Sequence, residues 1–318
     1  MERMLRVPLS MLSPRGPRAR LTILAYHRVL ADPDPLRPED PVAETFRWQM
    51  RLLARSMNPL PLDEAIERLQ NGRLPARAVA VTFDDGYADN AEVALPILRE
   101  EGVPATFFIA TGYLNGGCMF NDMLIETVRQ IPSAAVDLAP EGLGTRSLDS
   151  AAQRRATIHA LIGALKYRPL AERSRRAEAL GARFGITPPC DLMMTDAQVR
   201  QLADAGMGIG GHTVSHPILA ETDADTARQE IAAGKAELET LVGRPVRLFA
   251  YPNGRPGKDY APEHVELVRA CGFDAAVSTM AGAAGRDTDR LQLPRFTPWD
   301  RTPLRFGLRL ARNLASAH

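Results

Sequence analysis

The sequence predicts an α/β protein whose strands pair in parallel. Short apolar runs alternate with helically spaced apolar stripes along most of the chain, which is the order of strand, helix, strand. The run 78–83, Ala-Val-Ala-Val-Thr-Phe, is apolar nearly throughout, as a strand buried on both faces of a parallel sheet has to be. The rhythm fails between about 113 and 190, where helical patterns dominate and strand candidates are few, so that stretch reads as an insertion.

In order, 21–26 reads as a first strand. A helix follows over 45–57, where Phe46, Met50, Leu52 and Leu53 form one apolar stripe, and a second over 62–70. After the strand 78–83 comes a helix over 90–101, closed by Gly102, and a strand over 105–110. The insertion carries helical patterns at 122–130, 150–166 and 170–184. Thr195 caps a helix reaching Ala205, 207–211 is a short strand, and 226–242 is a long helix. Strands at 246–251 and 275–279 flank a helix over 262–271. At the end, 303–315 places Leu304, Phe306, Leu308, Leu310 and Leu314 among Arg305, Arg309 and Arg312, an amphipathic helix that packs on the rest of the chain or touches lipid. The first twenty residues have a similar character.

The 318 residues suffice for one large domain, the reading adopted here, with 1–20 as an extension, 21–300 as the core fold and 301–318 as the terminal helix. Thirty-nine basic against 38 acidic residues leave no overall field to attract nucleic acid. Cys118, Cys190 and Cys271 are odd in number and widely spaced, which describes neither a disulfide framework nor a CxxC metal site. The N-terminal residues lack the continuous apolar core of a secretion signal, and no apolar run reaches the roughly 20 residues that cross a bilayer. A cytoplasmic protein is expected, with peripheral membrane contact left open.

Two segments carry chemistry. Asp84 and Asp85 follow the strand 78–83 directly, and period-two geometry lets adjacent carboxylates face different ways, one toward a cation and the other free to move protons. His212 and His216 are spaced to converge on one ion from a tight loop or a helical turn. Two imidazoles and a carboxylate suit zinc or a similar divalent metal and leave a coordination position open for water, the mark of a catalytic site. Each motif also has a plain reading, Asp-Asp-Gly as a turn and the histidines as packing or surface groups, but the ordered pair favours ligation.

These segments resemble the polysaccharide deacetylases with a NodB-type domain, carbohydrate esterase family four. The resemblance rests on Thr82 to Gly86, Gly211 to Pro217 and Phe249 to Gly254, and extends to Ala25 to Val29, Pro104 to Phe108 and Leu293 to Phe296, which are similar to the branch acting on exopolysaccharides. It implies an irregular barrel of the (β/α)7 type with a helical insertion, in which chemistry gathers on loops after the C-terminal ends of strands. By the same resemblance Asp85, His212 and His216 are the metal ligands, Asp84 is the general base, and the loop 251–254 supplies an N–H for the oxyanion, with Asn253 the candidate and Tyr251 beside it. Asn253-Gly254 also reads as an ordinary turn.

Two departures stand out. The chain has Ala250-Tyr251-Pro252-Asn253-Gly254 where many members carry Arg-Pro-Pro-Tyr-Gly, so the arginine that orients the base has to come from elsewhere, Arg295 by preference over Arg255. The histidine that protonates the leaving amine late in the domain is also missing, since His264 lies within an expected helix and His318 is terminal. His27, after the first strand, is the candidate for substrate binding, for steadying a ligand or for donating that proton. Asp122, with Tyr113 and Asn115, lines a cleft or starts a helix. The expected activity is metal-dependent removal of N-acetyl groups from an oligosaccharide, a polysaccharide or a lipid-linked or nucleotide-linked precursor, with zinc foremost and cobalt or nickel as substitutes. The rival readings are a sugar-binding protein that kept the barrel but lost efficient catalysis, and a hydrolase of another, cyclic amide.

Overall fold

The computed structural model describes residues 2–316. In chain order the strands are β1 (Leu21–Tyr26), β2 (Asn58–Pro59), β3 (Ala78–Phe83), β4 (Ala105–Ile109), β5 (Ala135–Leu138), β6 (Gly144–Ser147), β7 (Gly208–Gly211), β8 (Leu248–Ala250) and β9 (Ala275–Val277). The α-helices are α1 (Glu2–Leu12), α2 (Ala43–Ser56), α3 (Leu62–Gln70), α4 (Leu95–Glu101), α5 (Phe120–Gln130), α6 (Ala151–Leu165), α7 (Leu170–Arg183), α8 (Asp196–Asp204), α9 (Ala224–Val242), α10 (Pro262–Ala270) and α11 (Pro303–Ala315). They form two compact units, one of residues 1–32, 39–114 and 194–318, the other of 33–38 and 115–193.

The first unit is a parallel sheet in the order β1, β3, β4, β7, β8, β9, with β2 beside the start of β3. β1 and β3 pair along their full length, Leu21 opposite Ala78 and Tyr26 opposite Phe83, and every residue of both is buried. The sheet curls on itself. Its edge strands are joined by the irregular segment 293–296: Leu293 N–H donates to Ala276 and its carbonyl accepts from Ser278, while Phe296 N–H donates to Ile23 and its carbonyl accepts from Ala25. That segment is the seventh stave of a (β/α)-type barrel. Sequence pattern had not marked it as a strand, because Pro294 and a single bridge on each side leave no ladder to read.

Alternation along the strands builds two layers. Val79, Val81, Phe83, Phe107 and Phe249 point into one layer with the apolar faces of α2, α4, α8, α9, α10 and α11. Ala78, Ala80, Phe108, Ala250 and Val277 point into the other, where Leu62, Ala65, Ile66 and Leu69 of α3 are the helical contribution. The second layer is the barrel interior, stopped by α3 at the end where strands begin. Toward the opposite end the inward positions turn polar: Thr82 and Asp84 follow Ala80 and are buried. The composition of β7, Gly-Ile-Gly-Gly, reflects crowding, since a Cβ at Gly210 would lie 2.4 Å from the Phe108 ring.

Elements differ from expectation where side chains intervene. The helix expected over 90–101 opens with a π turn, Asn90–Ala94, before α4; Pro96 has no N–H to close an α turn on Glu92. The strand expected over 246–251 is confined to Leu248–Ala250, because Val246 N–H donates to the Glu239 carboxylate instead of a neighbouring strand. Helix α1 and the hairpin of β5 and β6 were not assigned from sequence.

In the second unit α5, α6, α7 and that hairpin enclose Leu124, Val128, Leu161 and Leu180. Its ion pairs include Arg37 with Asp122 and Arg129 with Asp34. Asp122 stands in the first turn of α5 and is fully buried, so it is a structural group at a helix start.

Candidate metal centre and active site

Because the barrel strands are all parallel, their C-terminal ends share one rim. The residues that follow them are His27 after β1, Asp84 and Asp85 after β3, His212 after β7, Tyr251 after β8 and Ser278 after β9. Sequence positions as far apart as 27 and 278 thus meet at one end of a single sheet.

Asp85, His212 and His216 come together there. Asp85 Oδ1 is 3.4 Å from His212 Nε2 and 3.4 Å from His216 Nε2, and the three donor atoms lie within 4.8 Å of one another. Tetrahedral zinc with bonds of about 2.0–2.1 Å sets its ligand atoms about 3.3 Å apart, close to the two spacings seen. The Asp85 Oδ1 atom is buried and without a hydrogen-bond partner. His212 has a 2.7 Å contact from Nδ1 to the Ala250 carbonyl, which fixes Nδ1 as the protonated nitrogen and turns the Nε2 lone pair toward Asp85. Burial pushes the Asp85 carboxyl up, yet the facing imidazoles hold it well below the usual carboxylate range. Burial pushes His212 down, and Asp85 and Asp84 together raise it above its ordinary value. An orphaned acceptor, a fixed tautomer and matched spacings make this donor set fit a divalent cation.

Asp84 is not part of that cluster but lies near His212 in the polar top of the barrel. Arg295 grips it with both arms, Nη1 to Oδ1 at 2.7 Å and Nη2 to Oδ2 at 2.6 Å, while Nε donates to the Ser278 carbonyl at 2.9 Å. Both partners are buried, Arg295 at 2 % exposure and Asp84 at 3 %. Burial pushes the Asp84 carboxyl up, but the guanidinium, with smaller contributions from His212 and His27, brings it below its ordinary value. Asp84 is therefore ionised at neutral pH. Arg295 sits behind it as a positioning group, away from the open face of the site. Arg255 is exposed and takes no part in this pair.

The loop carrying the histidines is held in an unusual shape. Thr213 and His216 have φ of 66° and 52°, and Asp85 across from them has 79°. Such left-handed conformations cost on the order of 1–3 kcal/mol each and persist only where surroundings enforce them. Here Glu230 of α9 does so, accepting from Val214 N–H at 3.0 Å, Ser215 N–H at 2.8 Å and the Ser215 hydroxyl at 2.5 Å. Gly112 N–H and the Tyr113 hydroxyl donate to the carbonyls of Val214 and Ser215. Gly234 lets α9 approach, since a Cβ there would lie 2.9 Å from the Thr213 carbonyl. Sequence reasoning missed Glu230, which looks like any acid on a surface helix. It also missed Asp89, which accepts from Arg28 at 2.7 Å and from Val29 N–H at 3.2 Å, and Asn90, which donates to the His27 carbonyl at 2.8 Å.

Other candidates fall as follows. His27 is exposed on the rim, near enough for its charge to act on both aspartates. The Tyr251 side chain stacks on Tyr260 in the core at 3.8 Å and its N–H donates to Val277, so neither faces the site. Asn253 has φ of 59° and a half-buried side chain, and Thr279 ties its carbonyl down at 2.8 Å. His264 caps α10 by accepting from Ala261 N–H at 3.0 Å. His318 lies outside the described residues.

The chain resembles a putative polysaccharide deacetylase, YxkH of Bacillus subtilis (strain 168), with 22 % identity over 278 residues, 87 % of this chain and 71 % of the relative. Its fold is similar to that of the Streptococcus pyogenes deacetylase PplD, solved in complex with acetate, at TM-score 0.61 and 19 % identity over 92 % of this chain and 98 % of the other. It is also similar to IcaB from Ammonifex degensii, at TM-score 0.57 and 19 % identity over 96 % and 99 %. The sequence profile of the polysaccharide deacetylases matches residues 71–276, a span that holds Asp84, Asp85, His212 and His216. His27 and Arg295 lie on either side of that span and reach the same rim through the closure of the barrel. With the matched span covering well over half of its length, this chain belongs to the polysaccharide deacetylase family.

Proposed function

We propose that the chain is a metal-dependent hydrolase that removes N-acetyl groups from an amino-sugar glycan or from a lipid-linked or nucleotide-linked glycan precursor. The observation that carries this reading is an ionised carboxylate, Asp84, fixed by Arg295 beside a separate cluster of three metal-suited donors. A sugar-binding protein has no need of that arrangement.

Asp85, His212 and His216 would hold the cation, with zinc favoured by two imidazoles and one carboxylate. When bound, such an ion supplies Lewis acidity, acidifying water and polarising a carbonyl. Asp84 accepts the proton of the attacking water; Arg295 occupies one lone pair on each oxygen and leaves the others available. The Asn253 N–H is the candidate donor to the developing oxyanion, because Tyr251 N–H is engaged in the sheet and Pro252 has none. His27 delivers the proton to the departing sugar amine.

Acetate release from N-acetylglucosamine oligomers, measured before and after chelation and on returning zinc, tests the activity; no release under any metal regime rejects it. His27→Ala is expected to slow amide cleavage by roughly 10²-fold or more while barely affecting an activated aryl acetate, whose leaving group needs no proton. Equal losses on both substrates contradict the assignment. Glu230→Ala is expected to weaken zinc binding by about 10–100-fold through the loosened histidine loop, read by competition with a chelating dye. Unchanged affinity removes Glu230 from the account.

A further inference from the structure

The described residues contain no helix long and apolar enough to cross a membrane. They do contain a surface of another kind. Of the six large hydrophobic side chains exposed among the described residues, five belong to the terminal segments: Val7 and Met11 on α1, Leu304 and Leu308 on α11, and Trp299 just before α11; the sixth is Tyr167 in the second unit. α1 packs beside α11. Each helix buries one face, Leu9 on α1 and Phe306, Leu310 and Leu314 on α11, and turns an i, i+4 apolar pair to solvent on the other.

The charge carried by these two segments has one sign. Residues 6–20 and 301–316 include no Asp or Glu, in a chain whose totals of 38 acids and 39 bases nearly cancel. Arg15, Arg18, Arg305 and Arg312 are exposed there. The neighbouring Asp300 is buried and paired with Arg309, whose guanidinium also lies 5.1 Å from the Trp299 ring centroid. α11 begins at the rim that carries the site, where Gln49 bridges the Asp300 carbonyl and the hydroxyl of Tyr26, and ends where the strands begin, with Asn313 donating to Thr22.

We infer that the outer face of α1 and α11 is a docking surface for an anionic lipid bilayer, with Leu304, Leu308, Val7, Met11 and Trp299 entering the interface and the arginines meeting lipid phosphates. Exposed apolar groups flanked by arginine, with a tryptophan at their edge, match that interface in both polarity and sign. A second copy of the chain is a poor occupant, because a two-fold contact brings the same arginines face to face with no carboxylate between them.

The test is co-sedimentation of the full chain with phosphatidylcholine vesicles and with mixed phosphatidylglycerol–phosphatidylcholine vesicles, at low and high salt. The wild type is expected to partition onto the anionic vesicles, less so at high salt, and hardly onto the neutral ones. Arg305→Gln with Arg312→Gln should lower anionic partitioning by about 30-fold, at roughly fivefold per arginine. Leu304→Gln with Leu308→Gln should lower it on either vesicle. All four positions are exposed, so both variants should keep the wild-type melting temperature and the wild-type rate on soluble substrate. Equal partitioning to both vesicle types, or an undiminished double-arginine variant, overturns the inference. So does a dimer in solution that Leu304→Gln with Leu308→Gln breaks.

Discussion

Asp84→Asn is expected to cut deacetylation by roughly 10²–10⁴-fold while leaving metal affinity near that of the wild type. The two effects separate because Asp84 lies outside the three-donor cluster, and both of its oxygens face Arg295. An amide side chain keeps the size and one acceptor but loses the basicity, so water is no longer deprotonated as it attacks. Substrate affinity should change little, and the loss should appear in kcat more than in KM. Turnover within a few-fold of wild type would remove Asp84 as the base. A parallel loss of metal would assign it to the cluster instead.

Arg295→Met is expected to destabilise the fold by about 3–5 kcal/mol at neutral pH, because it leaves a buried carboxylate without its cation. The pH dependence gives the sign. In the wild type Arg295 brings Asp84 below its ordinary value, so the pair's contribution to stability is present above about pH 4 and is lost as pH falls through the lowered value. Without the guanidinium, burial dominates and the carboxyl moves above its ordinary value, so the folded variant prefers the protonated acid. The stability gap between wild type and variant should therefore be widest near neutrality and narrow toward pH 4. The acidic limb of the activity profile should also move to higher pH. Urea melts giving the same gap at pH 7 and pH 4.5 would contradict this picture of the pair.

Much of this was legible in the sequence because it depends on short-range pattern. The run 78–83 told of a strand buried on both faces, and the aspartates that follow it had to stand at a strand end. His212 and His216 were close enough in sequence to be read as one loop. Arg295 was harder: its claim on Asp84 comes from barrel closure, which brings positions 211 residues apart into contact through a stave of irregular backbone. Glu230 and Asn90 left no signal of their own. Each acts on main-chain groups of another segment, and nothing in a single sequence says which distant backbone a side chain will serve. The Tyr251 side chain misled in the opposite way, since a strand-end residue alternates between rim and core and this one went to the core against Tyr260.

We propose that one divalent cation binds Asp85, His212 and His216 and that activity follows it. Zinc content per chain, measured after dialysis for the wild type, Asp85→Ala, His212→Ala and Asp84→Asn, tests it most directly. One tightly held ion is expected in the wild type and in Asp84→Asn, and loss of that ion in the other two variants, each with a near-native melting profile. Full zinc occupancy in folded Asp85→Ala and His212→Ala would contradict it.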